Sequence, residues 1–234
     1  MTISNKKLAS SMNDRVFLDI GNTNTKWKYK ASYYETPSLN FSEVEFPYSS
    51  EIWVSNVSSK LILNKGNNLH IVHSQASYKG LINSYKNPES LGSDRWLAMI
   101  AAFENNPQKA FIVLDIGTAI TFDYVNNIGS HQGGLIFPGL VKIRNTFDQF
   151  QITKGVDIDE LGQSTKEAWS KGTLSLIVTT INEKIRAIKQ FDPQVKIFAT
   201  GGGLSEIEKY FDFTYSFHKN LVLDGLELFA NNVG

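Results

Sequence analysis

The sequence predicts an α/β protein made of two related halves with a cleft between them. Leu-Asp-Ile-Gly occurs twice, at residues 18–21 and 114–117, each time ending an apolar strand and opening a Thr-bearing turn into a second strand. Asp19 and Asp115 therefore stand about a hundred residues apart, the size of one small domain, which marks a duplication rather than a solenoid. Around each copy strands come first and helices follow, so 234 residues divide into two α/β halves of ordinary size.

The first copy predicts a hairpin, with a strand near 15–20, a turn over 21–24 and a return strand through Lys26, Trp27, Lys28 and Tyr29. Strands near 43–46 and 51–55, a helix around 57–64 and a strand over 69–72 are expected next. Pro88 interrupts a loop, and Ser93 has the character of an N-cap for a helix over 94–104. Asn105-Asn106-Pro107 ends that helix and predicts a boundary between a first domain, 14–106, and a second, 107–234. Beyond it, 111–116 is a continuous apolar run, and strands are expected at 120–125 and 131–137. Helices should follow at 139–150 and 165–190. In the second helix Ala168, Leu174, Ile177, Ile181, Ile185 and Ile188 recur near helical spacing as a core-facing stripe. A short buried strand over 195–199 runs into Thr200 and three glycines, and a last helix covers 220–231. Trp27, Trp53, Trp96 and Trp169 are expected in the core.

Bulk composition narrows the function. The chain is 41% hydrophobic and 20% charged, with 23 basic against 23 acidic residues, so nothing favours a nucleic acid or an anionic membrane as partner. No apolar run approaches the ~20 residues of a membrane span. Residues 1–13 form a polar tail without the apolar core of a secretion signal, and a cytoplasmic protein is expected. With no cysteine, disulfides, thiolate metal sites and Cys nucleophiles are excluded.

Four segments carry chemistry. The chain has no Gly-x-x-x-x-Gly-Lys-Ser/Thr loop and no Gly-x-Gly-x-x-Gly after a strand. Phosphates would instead be held by hairpin turns and helix N-termini. Asp19 and Asp115, at strand ends, suit a hard cation that prefers oxygen ligands, while Thr23, Asn24, Thr25 and Lys26 would meet phosphate oxygens. The segment Gly92-Ser93-Asp94-Arg95 puts a carboxylate beside a guanidinium at a helix start. Such a pair can orient a hydroxyl and accept its proton, or it can be a simple capping network. Residues 133–139, Gly-Gly-Leu-Ile-Phe-Pro-Gly, and the glycines after Thr200 mark places where something approaches the backbone closely. An adenine or ribose is one candidate at the second place and a plain turn the other. His131 is expected to be a satisfied structural histidine.

In this order, Asp-x-Gly-Asn-Thr (19–23), Gly-x-Asp-Arg (92–95), Asp-x-Gly-Thr-Ala-x-Thr (115–121), Gly-Gly-x-Ile-x-Pro-Gly (133–139), Thr-Gly-Gly (200–202) and the closing 221–226 resemble the type III pantothenate kinases. That family belongs to the superfamily of acetate and sugar kinases, heat-shock chaperones and actin. The resemblance spans about residues 14–230. It implies two RNase H-like (actin-like ATPase) domains with a nucleotide cleft between them, and a homodimer with pantothenate bound partly at the dimer interface. It implies ATP with Mg²⁺ as cofactor, held by Asp19 (Mg²⁺ through ATP), Ile20, Gly21, Asn22, Thr23, Asn24, Thr25 and Lys26, with Thr118 as a further contact. Pantothenate would meet Tyr85, Gly92, Ser93, Asp94, Arg95 and Thr165, with Asp94 as the catalytic base. Asp115 would hold a monovalent cation, K⁺ or NH₄⁺. The expected reaction is phosphorylation of the 4′-hydroxyl of pantothenate, the first step of coenzyme A synthesis. The alternatives are a catalytically silent regulatory relative, or a kinase or phosphatase for another small acceptor.

Overall fold

The computed structural model describes residues 15–43, 46, 50–58 and 68–233. The expected tail 1–13, most of the helix around 57–64 and half of the strand near 43–46 lie outside these residues.

The first sheet is built from β1 (Arg15–Ile20), β2 (Asn24–Tyr29), β3 (Ser32–Pro37), β4 (Glu51–Asn56) and β5 (Asn68–Ile71), in the order β3-β2-β1-β4-β5. β1, β2 and β3 form an antiparallel meander, and β4 and β5 add in parallel on the other side. Val16, Leu18 and Ile20 of β1 and Ile52 and Val54 of β4 point into one core, where Phe41 closes over them and Trp27, Tyr29 and Phe46 pack at its margin. β3 was not expected. Its residues Ser-Tyr-Tyr-Glu-Thr-Pro are almost all exposed, so this edge strand lacks the apolar alternation that marks a half-buried strand.

Short strands β6 (Ser77–Tyr78) and β7 (Leu81–Ile82) lead to a single 3-10 turn at Pro88–Ser90 and then to helix α1 (Ser93–Glu104). The second sheet follows: β8 (Phe111–Ile116), β9 (Ala119–Val125), β10 (His131–Pro138), β11 (Lys196–Thr200) and β12 (Ser216–Phe217), in the order β10-β9-β8-β11-β12. β8, β9 and β10 run antiparallel to their neighbours, and β11 and β12 join in parallel. Position for position this is the order of the first sheet, so the repeated Leu-Asp-Ile-Gly does mark two copies of one RNase H-like sheet.

Helix α2 (Leu140–Arg144) is one turn and a half, much shorter than the expected 139–150. The chain leaves it at Asn145 because Phe147 and Phe150 turn back onto Trp169, with ring centroids 5.2–5.4 Å apart among the three. Helix α3 (Thr165–Phe191) opens on Ser164, whose side chain accepts from the amide of Glu167, while Gln163 donates its amide to the Glu167 carboxylate. Its stripe of Leu174, Ile177, Val178, Ile181 and Ile185 is buried against Ile112, Leu114, Ile120 and Ile197 of the sheet. Ala168 is exposed, one turn ahead of the stripe. A four-residue helix, α4 (Leu204–Ile207), precedes β12, and α5 (Leu221–Val233) ends the described chain. Trp53 and Trp96 are buried, and Trp27 and Trp169 are half-buried. None of the helices among the described residues is long and apolar enough to cross a membrane.

The compact units are not consecutive along the chain. One takes residues up to Tyr78, Tyr85–Ala101 and the segment from Asn220, and the other takes Lys79–Ser84 and Ala102–Lys219. This differs from the linear split at 106/107, because α5 returns to the first sheet. Glu227 there pairs with Lys28, Asp224 accepts from the Tyr33 hydroxyl at 3.0 Å, and the Leu228 carbonyl accepts from Tyr78 at 3.2 Å. Burial tends to lower the Lys28 ammonium, and the Glu227 hydrogen bond and charge outweigh it, so its pKa is raised overall. Gly225 lets α5 sit directly on α1, since a Cβ there would lie 1.9 Å from the Leu97 carbonyl.

Gly225→Ala should therefore lower stability to urea by about 2–3 kcal/mol through overpacking. Gly172→Ala, on an exposed face of α3 with open space around it, should raise it by roughly 0.5–1 kcal/mol. Equal midpoints for Gly225→Ala and the parent would show that the α5–α1 contact is looser than described.

Candidate active site

Asp19 and Asp115 occupy equivalent places, one residue before the end of the central strand of each sheet. Each lies between fully buried neighbours, Leu18 and Ile20 in one case and Leu114 and Ile116 in the other, and is itself half-buried. A charge so placed needs polar partners on the same face of the sheet. Asp19 stands opposite Lys26 on β2 and beside Ser55 on β4. Asp115 stands opposite Thr121 on β9 and beside Thr200 on β11.

The turn after Asp19 closes with the Gly21 amide donating to the Asn24 carbonyl at 3.1 Å and leaves Asn22, Thr23 and Asn24 exposed. Lys26, on the same face as Asp19, is half-buried. Ile20 and Thr25 face the other way. Thr25 is fully buried with its hydroxyl 3.0 Å from that of Ser38, and Ser38 donates to the Gly21 carbonyl at 2.7 Å. The side chain of Thr25 thus braces the turn from beneath instead of lining its surface, and Asn24 donates to Glu35 at 2.8 Å. Ser38 is a residue that pattern reading missed, since a serine after a proline gives no local signal beyond a turn.

The second segment belongs to the same unit. Asp94 folds back so that one carboxylate oxygen accepts from the Arg95 amide at 2.8 Å. Gly92 makes room for it, because a Cβ at that position would lie 2.6 Å from the same oxygen. Arg95 is buried and donates through Nη1 to the Tyr85 hydroxyl at 3.0 Å, with its guanidinium 5.7 Å from the centre of the Tyr85 ring. Tyr85, Gly92, Asp94 and Arg95 are therefore assembled as one group. Ser93 is buried, and its hydroxyl lies 3.1 Å from that of Ser55, the strand neighbour of Asp19. This brings the start of α1 to the same end of the first sheet as Asp19.

In the second unit Thr118 is exposed in the β8–β9 turn, and its carbonyl accepts from the Gly139 amide at 3.0 Å. In the Gly-Gly-Leu-Ile-Phe-Pro-Gly segment the protein itself approaches Gly139, where a Cβ would lie 2.2 Å from the Gly117 carbonyl, whereas Gly133, with φ +100°, faces open space. The same holds after Thr200. Gly201, with φ +98°, packs its Cα against the Ile116 carbonyl and the Asp115 carboxylate, whereas Gly202 faces open space. Thr165 is exposed at the first position of α3. Across residues 146–161, the Thr153 amide donates to Ser170 at 2.8 Å, and Arg144 donates to the Ser170 carbonyl at 3.3 Å. Burial pushes the Arg144 guanidinium down from its ordinary pKa, and Glu206 and Tyr210 offset part of this.

His131 is fully buried with Nε2 2.9 Å from the Asp123 carboxylate, the satisfied structural role expected of it. Among the described residues no group of three or more His, Cys, Asp or Glu side chains is gathered to hold a metal. Single carboxylates at the two strand ends fit a cation completed by ligands from outside the protein, such as phosphate oxygens.

Comparison with known proteins gives the family and the fold. A family model described as type III pantothenate kinase matches residues 39–187. The type III pantothenate kinase of Alcanivorax borkumensis is 32% identical over 241 residues, covering 92% of this chain and 98% of that one. Among solved structures, a Campylobacter jejuni chain provisionally described as a Baf family transcriptional activator superposes with a TM-score of 0.65 at 23% identity, covering 93% of this chain and 98% of that one. A Sinorhizobium meliloti chain provisionally described as a 2-dehydro-3-deoxygalactonokinase gives 0.61 at 10% identity, covering 93% and 96%. These two likenesses concern the fold. With its family model matched over more than half of its length, and a relative 32% identical along nearly all of it, the chain belongs to the type III pantothenate kinase family.

Proposed function

We propose that the protein transfers the γ-phosphoryl group of ATP to the 4′-hydroxyl of pantothenate. The observation that carries this reading is the Tyr85–Arg95–Asp94 group at the same sheet end as the Asp19 turn, in a chain of this family. In the transfer the hydroxyl oxygen bonds the γ-phosphorus, the bond from that phosphorus to the β–γ bridging oxygen breaks, and ADP leaves. The hydroxyl proton passes to Asp94.

Positioning and charge stabilisation dominate such transfers, whose transition state is loose. Carboxylates as a class are weak bases, with a reference pKa of about 3.9 for aspartate, so basicity is not the main contribution of Asp94. Its value lies in aligning the hydroxyl and taking the proton late. Arg95, held by Tyr85, is a proposed contact of the pantothenate carboxylate or amide. Backbone amides of the turn at 21–24 and the side chains of Thr23 and Lys26 hold phosphate oxygens, Asp19 holds Mg²⁺ through ATP, and Thr118 is a further ATP contact. Thr165 is a proposed contact of pantothenate. Bound Mg²⁺ neutralises charge on the phosphates. Asp115, with Thr121 and Thr200 beside it, is the proposed ligand of K⁺ or NH₄⁺. A homodimer and a cytoplasmic location complete the reading, the latter fitting the use of ATP.

ADP release from MgATP should depend on pantothenate, and should be faster in potassium than in sodium buffer. Pantothenate-independent release would overturn the acceptor, and equal rates in the two buffers would remove the cation from Asp115. Asp94→Asn should lower turnover by roughly 10²–10⁴-fold, the usual range for a general base, while the ATP dissociation constant stays within a few-fold. Retained turnover would take Asp94 out of the mechanism. Light scattering at micromolar concentration should give twice the 26.2 kDa chain mass, and a monomer would count against pantothenate binding at a dimer interface.

A further inference from the structure

We infer that Ser55 and Ser74 are positioning residues that fix Asp94 for its reaction, Ser55 acting through Ser93. The inference rests on the role given to Asp94 above. All three serines are buried, Ser55, Ser74 and Ser93 at 0%, 2% and 8% exposure. Their hydroxyls converge on the loop and first turn that carry Asp94. Ser55 Oγ lies 3.1 Å from Ser93 Oγ, one residue before Asp94. Ser74 Oγ donates to the Leu91 carbonyl at 2.7 Å and lies 3.4 Å from the Gly92 carbonyl, two residues before it.

Both tethers start from one rigid support. Ser55 is on β4, next to Asp19 in the β1–β4 register. Ser74 follows β5, and the Val72 amide donates to the Val54 carbonyl at 2.8 Å, which extends the β4–β5 pairing towards it. The Gly92 carbonyl accepts from the Trp96 amide at 3.1 Å, closing the first turn of α1. Two hydroxyls therefore hold that turn to the strand pair beside Asp19, which sets the distance between the phosphate-binding turn and the proton acceptor. A buried carbonyl or hydroxyl that loses its partner relaxes towards another, and a shift of about 1 Å at a reacting group is enough to cost rate.

The test uses the full chain with Ser55→Ala and Ser74→Ala, and Ser55→Cys and Ser74→Cys as near-isosteric replacements should an alanine variant fail to fold. Each is followed by steady-state kinetics in both substrates and by amide hydrogen exchange at Arg95 and Trp96. kcat/KM for pantothenate should fall about tenfold, with KM for ATP within twofold and the thermal midpoint lowered only by the few degrees that one buried hydrogen bond is worth. Exchange at Arg95 and Trp96 should quicken by a similar factor. If the parent turns over pantothenate and the variants match it within twofold in kinetics and exchange, the inference is overturned while the function stands. Equal losses in the ATP and pantothenate parameters, with a midpoint lowered further than that, would overturn it in favour of a purely structural role. If the parent does not turn over pantothenate at all, the proposed function fails, and exchange at Arg95 and Trp96 decides the tethering by itself, unchanged protection overturning it.

Discussion

A carboxylate wedged between fully buried residues is the constraint from which the rest of this protein follows. Asp19 sits between Leu18 and Ile20, and Asp115 between Leu114 and Ile116, in the central strand of each sheet. Leaving such a charge without partners would cost several kcal/mol. The chain resolves this identically in both units. The aspartate is placed two residues before the glycine that opens the turn, and its strand neighbours on the same face are polar: Lys26 and Ser55 in one, Thr121 and Thr200 in the other. The result in both units is a half-buried carboxylate at a strand end beside an exposed turn. Duplicating the sheet duplicates the device, and different residues around each copy then allow different tasks.

Close backbone approach is the second theme. Gly139 and Gly201 pack on the Gly117 and Ile116 carbonyls, so the strand-end turn of Asp115 is clamped by two other segments of its own unit. At Gly139, Gly201 and Gly203, glycines that look like ligand contacts along the sequence let the backbone pack on itself, while Gly133 and Gly202 face open space. Gly92 works differently, sparing room for a functional side chain, the carboxylate of Asp94. The same residue type thus rigidifies one site and shapes the other.

Around Asp94, geometry is maintained by neutral hydroxyls and a buried guanidinium. Tyr85 orients Arg95, Arg95 gives its amide to Asp94, and Ser55, Ser74 and Ser93 fix the turn from below. For phosphoryl transfer this is a fitting division, since the chemistry needs accurate placement more than a strong base. Hydroxyls restrict the turn without adding charge to it, while α5, paired to the first sheet through Lys28 and Glu227, stiffens the unit that carries it.

The sequence by itself determined the duplicated strand and turn, the long helix α3 with its Leu174–Ile177–Ile181–Ile185 stripe, and the short polar motifs, because each is a local pattern of period two, period 3.6 or obligatory turn chemistry. From these, and from the likeness they carry to one family, the fold and the Asp94–Arg95–Tyr85 group were legible. The exposed edge strand β3 was not, because pairing with β2 rather than side-chain burial makes it a strand. The early end of α2 was not, because aromatic contacts reaching from Phe147 to Trp169 decide it. Only the tertiary structure brought α5 back to the first sheet, turned the Thr25 hydroxyl down onto Ser38, and joined Ser55 to Ser93. These are contacts between residues far apart in the chain, and local periodicity carries no record of which distant surface a segment will meet.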